Sequence, residues 1–278
     1  MYYLFILGKI IALAGPRAVS YRIAKFFALL HCCFSKKDRE AVLYNLGPLV
    51  RQRQRKKKVA KKVFINFAYY LTDFFRYSRL TKKFIKKYVS FGGLDLVDKI
   101  VKEKRGAILL TAHLGNYELG GAVMSLLGYP LSVVALPHLD LRTNIFFNRQ
   151  RKRVGIDVIP TGVAIKKTIK ALNQGRLLAL LGDRDFSHSG RRQKVFSRFA
   201  EIPRGVAFFA KKTAAAVVPT FFVRENKYHY RLIFENEIEY DRENENVEED
   251  ILQKYVAVLE KYLKKYPDQW YLFQKYWQ

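Results

Sequence analysis

A chain of 278 residues, half of them hydrophobic, can bury a sizeable core, which excludes wholesale disorder. Lysine and arginine number 51 against 24 acids, a net charge of +27 that speaks to partners rather than to fold. The partner classes it favours are anionic: nucleic acid, an anionic membrane surface, a phosphorylated lipid or an acidic protein.

Residues 1–34 are apolar and helical in character, but Lys9, Arg17, Arg22 and Lys25 interrupt them, as do Gly15 and Pro16. A spanning helix wants about 20 largely uncharged residues, and no such window occurs here. The segment reads as two short helices lying in or on a membrane face, with a helix pair capping the core, or a lone span, as alternatives. Cys32 and Cys33 are adjacent and are the sole cysteines, so there is no disulfide framework and a reducing compartment is expected. Residues 51–62, "RQRQRKKKVAKK", hold the densest cationic run. An aromatic helix is expected from about 63 to 80, where Phe64, Phe67, Tyr70, Phe74 and Tyr77 follow three- and four-residue spacing. That stripe suits a core, or the wall of an acyl-chain channel.

From about residue 92 short apolar runs alternate with helical segments. Strands are expected at 107–112, 131–136, 157–160, 176–182, 215–224 and 229–240, with helices at about 117–127, 141–154 and 247–265. Thr161 is expected to cap a further helix that Gly175 ends. This alternation predicts an α/β fold with a mostly parallel central sheet flanked by helices. Residues 1–91 read as a helical, basic, membrane-associating region and 92–278 as the α/β domain, the two forming one compact unit.

The stretch "TAHLGNYELGG" (111–121) carries the chemistry. Five helical steps would hold His113 and Glu118 apart. A turn at Gly115 and Asn116 between strand and helix lets them approach, with His113 at a strand's carboxyl end, where open α/β sheets place ligands. A carboxylate on the far ring nitrogen orients a histidine as a general base. The plain alternative is a solvated histidine near an unrelated glutamate. "GDRDFSHSG" (182–190) closes another strand, so Asp183, Arg184 and Asp185 fall on the same sheet edge as His113. They could equally be turn and capping residues. Arg149, Arg151 and Arg153 could clamp phosphate or carboxylate, or simply face water. No GxxxxGK[ST], GxGxxG or GxSxG occurs, which disfavours nucleotide enzymes and serine hydrolases. A metal site built from His113, His138, Asp140 and Asp183 lacks any of the usual ligand spacings, and none is expected.

The H-x4-E element after a strand resembles the signature of the late acyltransferases of bacterial lipid A biosynthesis, relatives of the glycerolipid acyltransferases. The stretch 182–224, with its acidic turn, aromatic segment and Pro-x-Gly, and "YPDQWYLFQKYW" (266–277) follow in that family's order. Two departures stand out: Asp-Arg-Asp at 183–185, as in phosphatidylinositol mannoside acyltransferases, and no Phe-Phe-Gly in the aromatic segment. The resemblance implies acyl transfer from a thioester of acyl carrier protein or coenzyme A to a lipid hydroxyl, with no cofactor. It implies work at the cytoplasmic face of the inner membrane, peripheral or monotopic, beside anionic lipid and an acidic carrier protein and with no nucleic-acid partner. His113 becomes the base and Glu118 its orienter; Asn116, Arg149, Arg151, Asp183, Arg184 and Asp185 shape the substrate site. Arg151 or amides near Asn116 become oxyanion donors. The rival class is a nucleic-acid-binding protein, motivated by charge and aromatic content.

Overall fold

The structure, a computed structural model, describes residues 2–160, 164–186 and 189–278. Among the described residues, seven strands form one sheet: β1 (Val89–Gly92), β2 (Ala107–Thr111), β3 (Leu131–Ala135), β4 (Asp157–Pro160), β5 (Leu177–Leu181), β8 (Ala216–Arg224) and β9 (Tyr230–Phe234). Their order is β1-β9-β8-β2-β5-β3-β4, and every pairing is parallel except β8 with β9. β6 (Arg191–Val195) and β7 (Arg198–Ile202) make a separate antiparallel hairpin. Every residue of β8 is buried, and β2 is buried over four of its five. This is what the near-continuous apolar runs "AILL" and "AVVPTFFV" require, because both sheet faces are covered.

One face packs on α9 (Ala164–Asn173), α10 (Gly205–Thr213) and α11 (Val247–Lys265), with Leu172, Phe209 and Leu259 in the core. The other packs on α6 (Leu94–Lys102), α7 (Tyr117–Leu126) and α8 (Leu141–Arg153), through Ile100, Val123 and Phe147. A third cluster joins α2 (Arg17–Phe34), α3 (Lys36–Asn45) and α4 (Arg53–Phe75), with Ala28, Val42 and Phe64 at its centre. The remaining helices are α1 (Tyr2–Leu13) and the short α5 (Lys82–Tyr88).

The expected mostly parallel α/β sheet is present. No helix among the described residues is long and apolar enough to cross a membrane. Residues 2–34 instead fold as the two short helices α1 and α2, broken at Gly15 and Pro16. Several boundaries differ from expectation. α4 begins at Arg53, inside the cationic run, because lysine, arginine and glutamine are all good helix formers. β1 lies within the stretch read as helical, and β9 ends at Phe234 rather than running to 240. The expected cap at Thr161 lies outside the described residues.

Candidate active site

Register places the site. Thr111, the last residue of β2, pairs with Leu181, the last of β5, and Gly182 N–H donates to the Thr111 carbonyl at 2.8 Å. Two residues beyond each strand end stand His113 and Asp183, side by side on the carboxyl edge of the sheet. His113 Nδ1 lies 2.8 Å from Asp183 Oδ1, and the His113 backbone N–H donates to Oδ2 at 3.0 Å. The Trp270 indole N–H donates to the same Oδ2 at 3.1 Å. Asp183 is fully buried, while 15% of the His113 side chain remains exposed. Burial works against a charged carboxylate here. The His113 ring, with the N–H donors of His113 and Trp270, outweighs it and holds Asp183 below the usual carboxylate range.

The loop between β2 and α7 is fixed from three sides. Gly115 has φ +70°, and a Cβ there would stand 2.1 Å from the Phe222 carbonyl oxygen, so only glycine fits. Gly115 N–H donates to the Gln269 carbonyl at 2.8 Å, and Tyr271 N–H to the His113 carbonyl at 2.9 Å. The C-terminal segment is therefore strapped along the loop that carries the base. Asn116 caps α7, its Oδ1 accepting from Leu119 N–H at 3.2 Å, while its Nδ2 donates to Asp73 Oδ2 at 3.0 Å.

No hydrogen bond joins His113 to Glu118 among the described residues. Glu118 pairs with Arg151 instead: Nε of Arg151 donates to Oε2 at 3.2 Å, with side chains 12% and 11% exposed. The expected orienter of His113 is thus tied into an ion pair between α7 and α8, and the carboxylate on the ring is Asp183. The reason is geometric: His113 stands just past one strand's end and its ring meets the acid just past the neighbouring strand's end, while Glu118 already lies in the first turn of α7.

Asn116 is 2% exposed, and both ends of its amide are engaged within the fold. Arg149 is exposed on α8, two residues from Arg151 and so on another face. Arg184 donates to Gln274 Oε1 and lies 4.4 Å from the ring centre of Phe186, which in turn stands 6.3 Å from the His113 ring. Asp185 accepts the backbone N–H groups of Ser189 and Gly190, each at 2.9 Å, just before β6. Of the expected aromatic stripe, Tyr70 and Phe74 on α4 and Tyr77 in the 3-10 turn after it are core, while Phe64 and Phe67 line an apolar groove of about 280 Å³ between α1, α2 and α4. Among the described residues, no group of three or more His, Cys, Asp or Glu side chains is placed to hold a metal ion.

The family model for bacterial lipid A biosynthesis acyltransferases matches residues 1–278. The chain belongs to that family. It is 26% identical over 136 residues to a phosphatidylinositol mannoside acyltransferase of Mycobacterium tuberculosis, covering 46% of this chain and 42% of that one. It is 25% identical over 173 residues to a lipid A biosynthesis acyltransferase of Haemophilus influenzae, covering 60% and 53%. Against a lipid A biosynthesis palmitoleoyltransferase of Escherichia coli it is 25% identical over 192 residues, covering 67% and 60%. The chain thus spans about half the length of these relatives.

Two residues bonded to this site escape a local reading. Trp270 is 87 residues from its partner Asp183; its signal is the Pro-x-Gln-Trp segment, without any hint of its contact. Asp73, buried on α4, reaches the cap of α7 from the N-terminal helices, and an isolated aspartate inside an aromatic stripe gives no sign of that.

Proposed function

We propose that this protein is a membrane-associated O-acyltransferase that moves a fatty acyl chain from an acyl thioester to a hydroxyl of a glycolipid such as a lipid A precursor. The observation that carries the reading is the His113–Asp183 pair on the sheet's carboxyl edge, within a chain of this family. A buried carboxylate on Nδ1 keeps the ring proton there and leaves the Nε2 lone pair for an incoming hydroxyl. The acceptor oxygen attacks the thioester carbonyl as its proton passes to Nε2, and Asp183 stabilises the imidazolium, as the carboxylate does in serine-hydrolase triads. Collapse of the tetrahedral intermediate breaks the C–S bond, and the thiolate regains the proton from Nε2. No acyl-enzyme is formed. The backbone N–H groups of Tyr117 and Glu118, in the first turn of α7 and without partners among the described residues, are the oxyanion donors in this scheme.

The donor is a thioester of acyl carrier protein or coenzyme A, and no further cofactor takes part. The exposed apolar residues of α1 and α2 (Tyr3, Leu4, Leu7, Ile10, Phe26 and Phe34) form the surface that rests on the cytoplasmic leaflet of the inner membrane. A phosphatidylinositol mannoside acceptor is the second reading, favoured by Asp-Arg-Asp at 183–185 and by the mycobacterial relative's name.

Membranes carrying candidate acceptors, incubated with mixed acyl thioesters and wild type or His113→Ala, provide the test by lipid mass spectrometry. The wild type should produce an acceptor heavier by one acyl group, and the variant should be slower by about 10²–10⁴ while still folding. Equal product from both would remove His113 from the reaction.

A further inference from the structure

Where α2, α4 and α5 meet lies a cavity of about 210 Å³ lined by Arg17, Asp73, Arg76 and Arg79, with Leu80, Phe84, Tyr88 and Leu119 of α7 as its apolar walls. Its charge is one-sided. Asp73 is the one acid of the lining, and its carboxylate is already engaged. Oδ1 takes the Tyr21 hydroxyl at 2.6 Å and Arg17 at 3.3 Å; Oδ2 takes Asn116 at 3.0 Å and Arg224 at 3.1 Å. The helix that supplies Phe84 and Tyr88 also carries Lys82, Lys83, Lys86 and Lys87, all exposed and none in an ion pair among the described residues.

The three arginines differ in what they have left to donate. Arg17 bonds Tyr21, Tyr230 and the Tyr228 carbonyl as well as Asp73, so its place is structural. Arg76 uses Nη1 on the Ala12 and Gly15 carbonyls and on Ser20 Oγ, while Nε and Nη2 take no partner among the described residues. Arg79 holds the Gly15 and Leu13 carbonyls with Nη1 and Nη2, leaving Nε. Burial, and then the charge of Arg79, pull the Arg76 pKa below the usual guanidinium range, as expected of cations crowded together. Unpaired charge in a half-buried setting is costly until an anion meets it, and guanidinium N–H groups fit phosphate oxygens. Aromatic and leucine walls add nothing for a hydrated inorganic ion but favour an amphiphile. The Gly15–Pro16 turn that Arg76 and Arg79 grip joins α1 and α2 between exposed Ile10 and Val19.

We propose that this cavity binds the phosphate group of an anionic lipid, with Arg76 Nε and Nη2 and Arg79 Nε as donors, the α5 lysines at the rim and Phe84 and Tyr88 against the lipid's first carbons. Free inorganic phosphate shares the head-group chemistry, so each source has its own arm in the test. Binding, not turnover, is measured, and the outcome is independent of acyl transfer.

The full chain is titrated calorimetrically with a short-chain phosphatidic acid below its micelle concentration, and separately with inorganic phosphate, at about 0.15 M salt. Saturable one-site lipid binding is expected, with inorganic phosphate weaker. Arg79→Gln and Leu80→Trp should each weaken lipid binding by about tenfold or more. Leu80→Trp fills the cavity and leaves every charge in place, so its loss, with an unchanged thermal transition, separates the cavity from the general basic surface. Inorganic phosphate binding as tightly as the lipid, and lost in the same variants, would keep the phosphate site and overturn its lipid occupant. Absence of saturable binding by either ligand, or undiminished binding in both folded variants, would overturn the proposal.

Discussion

At the scale of single residues, two carboxylates compete for the role of partner to His113, and the geometry separates them. Asp183 touches the ring; Glu118 touches Arg151. Asp183→Asn should lower kcat by about 10²–10⁴, because an amide in that position no longer fixes the productive tautomer or stabilises the imidazolium. Glu118→Gln should act chiefly on stability: it leaves Arg151 buried without its counter-charge, at a cost of about 3–5 kcal/mol. Urea unfolding beside steady-state kinetics on both variants distinguishes the two patterns. The pH dependence has a definite sign. The Asp183 pKa is depressed in the folded state, so its stabilisation is present above the ordinary aspartate value of about 3.9 and is lost as pH falls through the depressed value. Trp270→Phe removes one donor to that carboxylate and should raise the midpoint of acid unfolding, with a loss of about 1.5–3 kcal/mol near neutral pH. Circular dichroism followed against pH would show it; an unmoved midpoint would mean that the indole bond does not hold Asp183.

At the scale of elements, the site is a strand–turn–helix whose turn is gripped by two distant segments, β8 and the C-terminal stretch 267–271. Gly115→Ala should destabilise by more than the roughly 1–3 kcal/mol of a strained backbone alone, since the added carbon also meets the Phe222 carbonyl. A calorimetric melt within a degree of wild type would contradict that. The strand, turn and start of α7 were legible in "AILLTAHLGNYELG" from periodicity and the Gly-Asn pair. The β6–β7 hairpin was not: its "RRQKV" and "RFAEI" are short and charged, with Gln193 against Glu249 of α11 standing where an apolar contact would have signalled a strand. β9 ends early because Glu235 N–H and Ile238 N–H bond singly to the carbonyls of Pro219 and Val217, leaving the ladder although the sequence still alternates.

At the scale of the whole molecule, the net charge of +27 and the exposed apolar faces of α1 and α2 act on the same proposed surface. Binding to vesicles containing anionic lipid should fall as salt rises from about 0.05 to 0.5 M, because screening weakens long-range attraction. Leu4→Glu with Phe26→Glu should weaken it by about tenfold or more at any salt, since the apolar contribution is not screened. Flotation assays on the two proteins across that range check both statements. Binding that is indifferent to the glutamates would make the association purely electrostatic and leave the helix pair as a cap on the core.

What the sequence determined by itself was local and periodic: the alternation that makes a covered parallel sheet, the break at Gly15 and Pro16, the turn at Gly115, and the placement of His113 and Asp183 just beyond two strand ends. Those follow from backbone preference and from the spacing of apolar residues, which act over a few residues at a time. Only the tertiary structure decided which strands are neighbours, and with that which acid meets the histidine. β2 lies beside β5 in register, so Asp183 reaches the ring from 70 residues away while Glu118, five residues off, turns to Arg151. The cavity of Arg76 and Arg79 belongs to the same class of fact: the two guanidiniums are near neighbours in the chain, but α2 and α5 supply the walls that enclose them, and charge on a sequence carries no address.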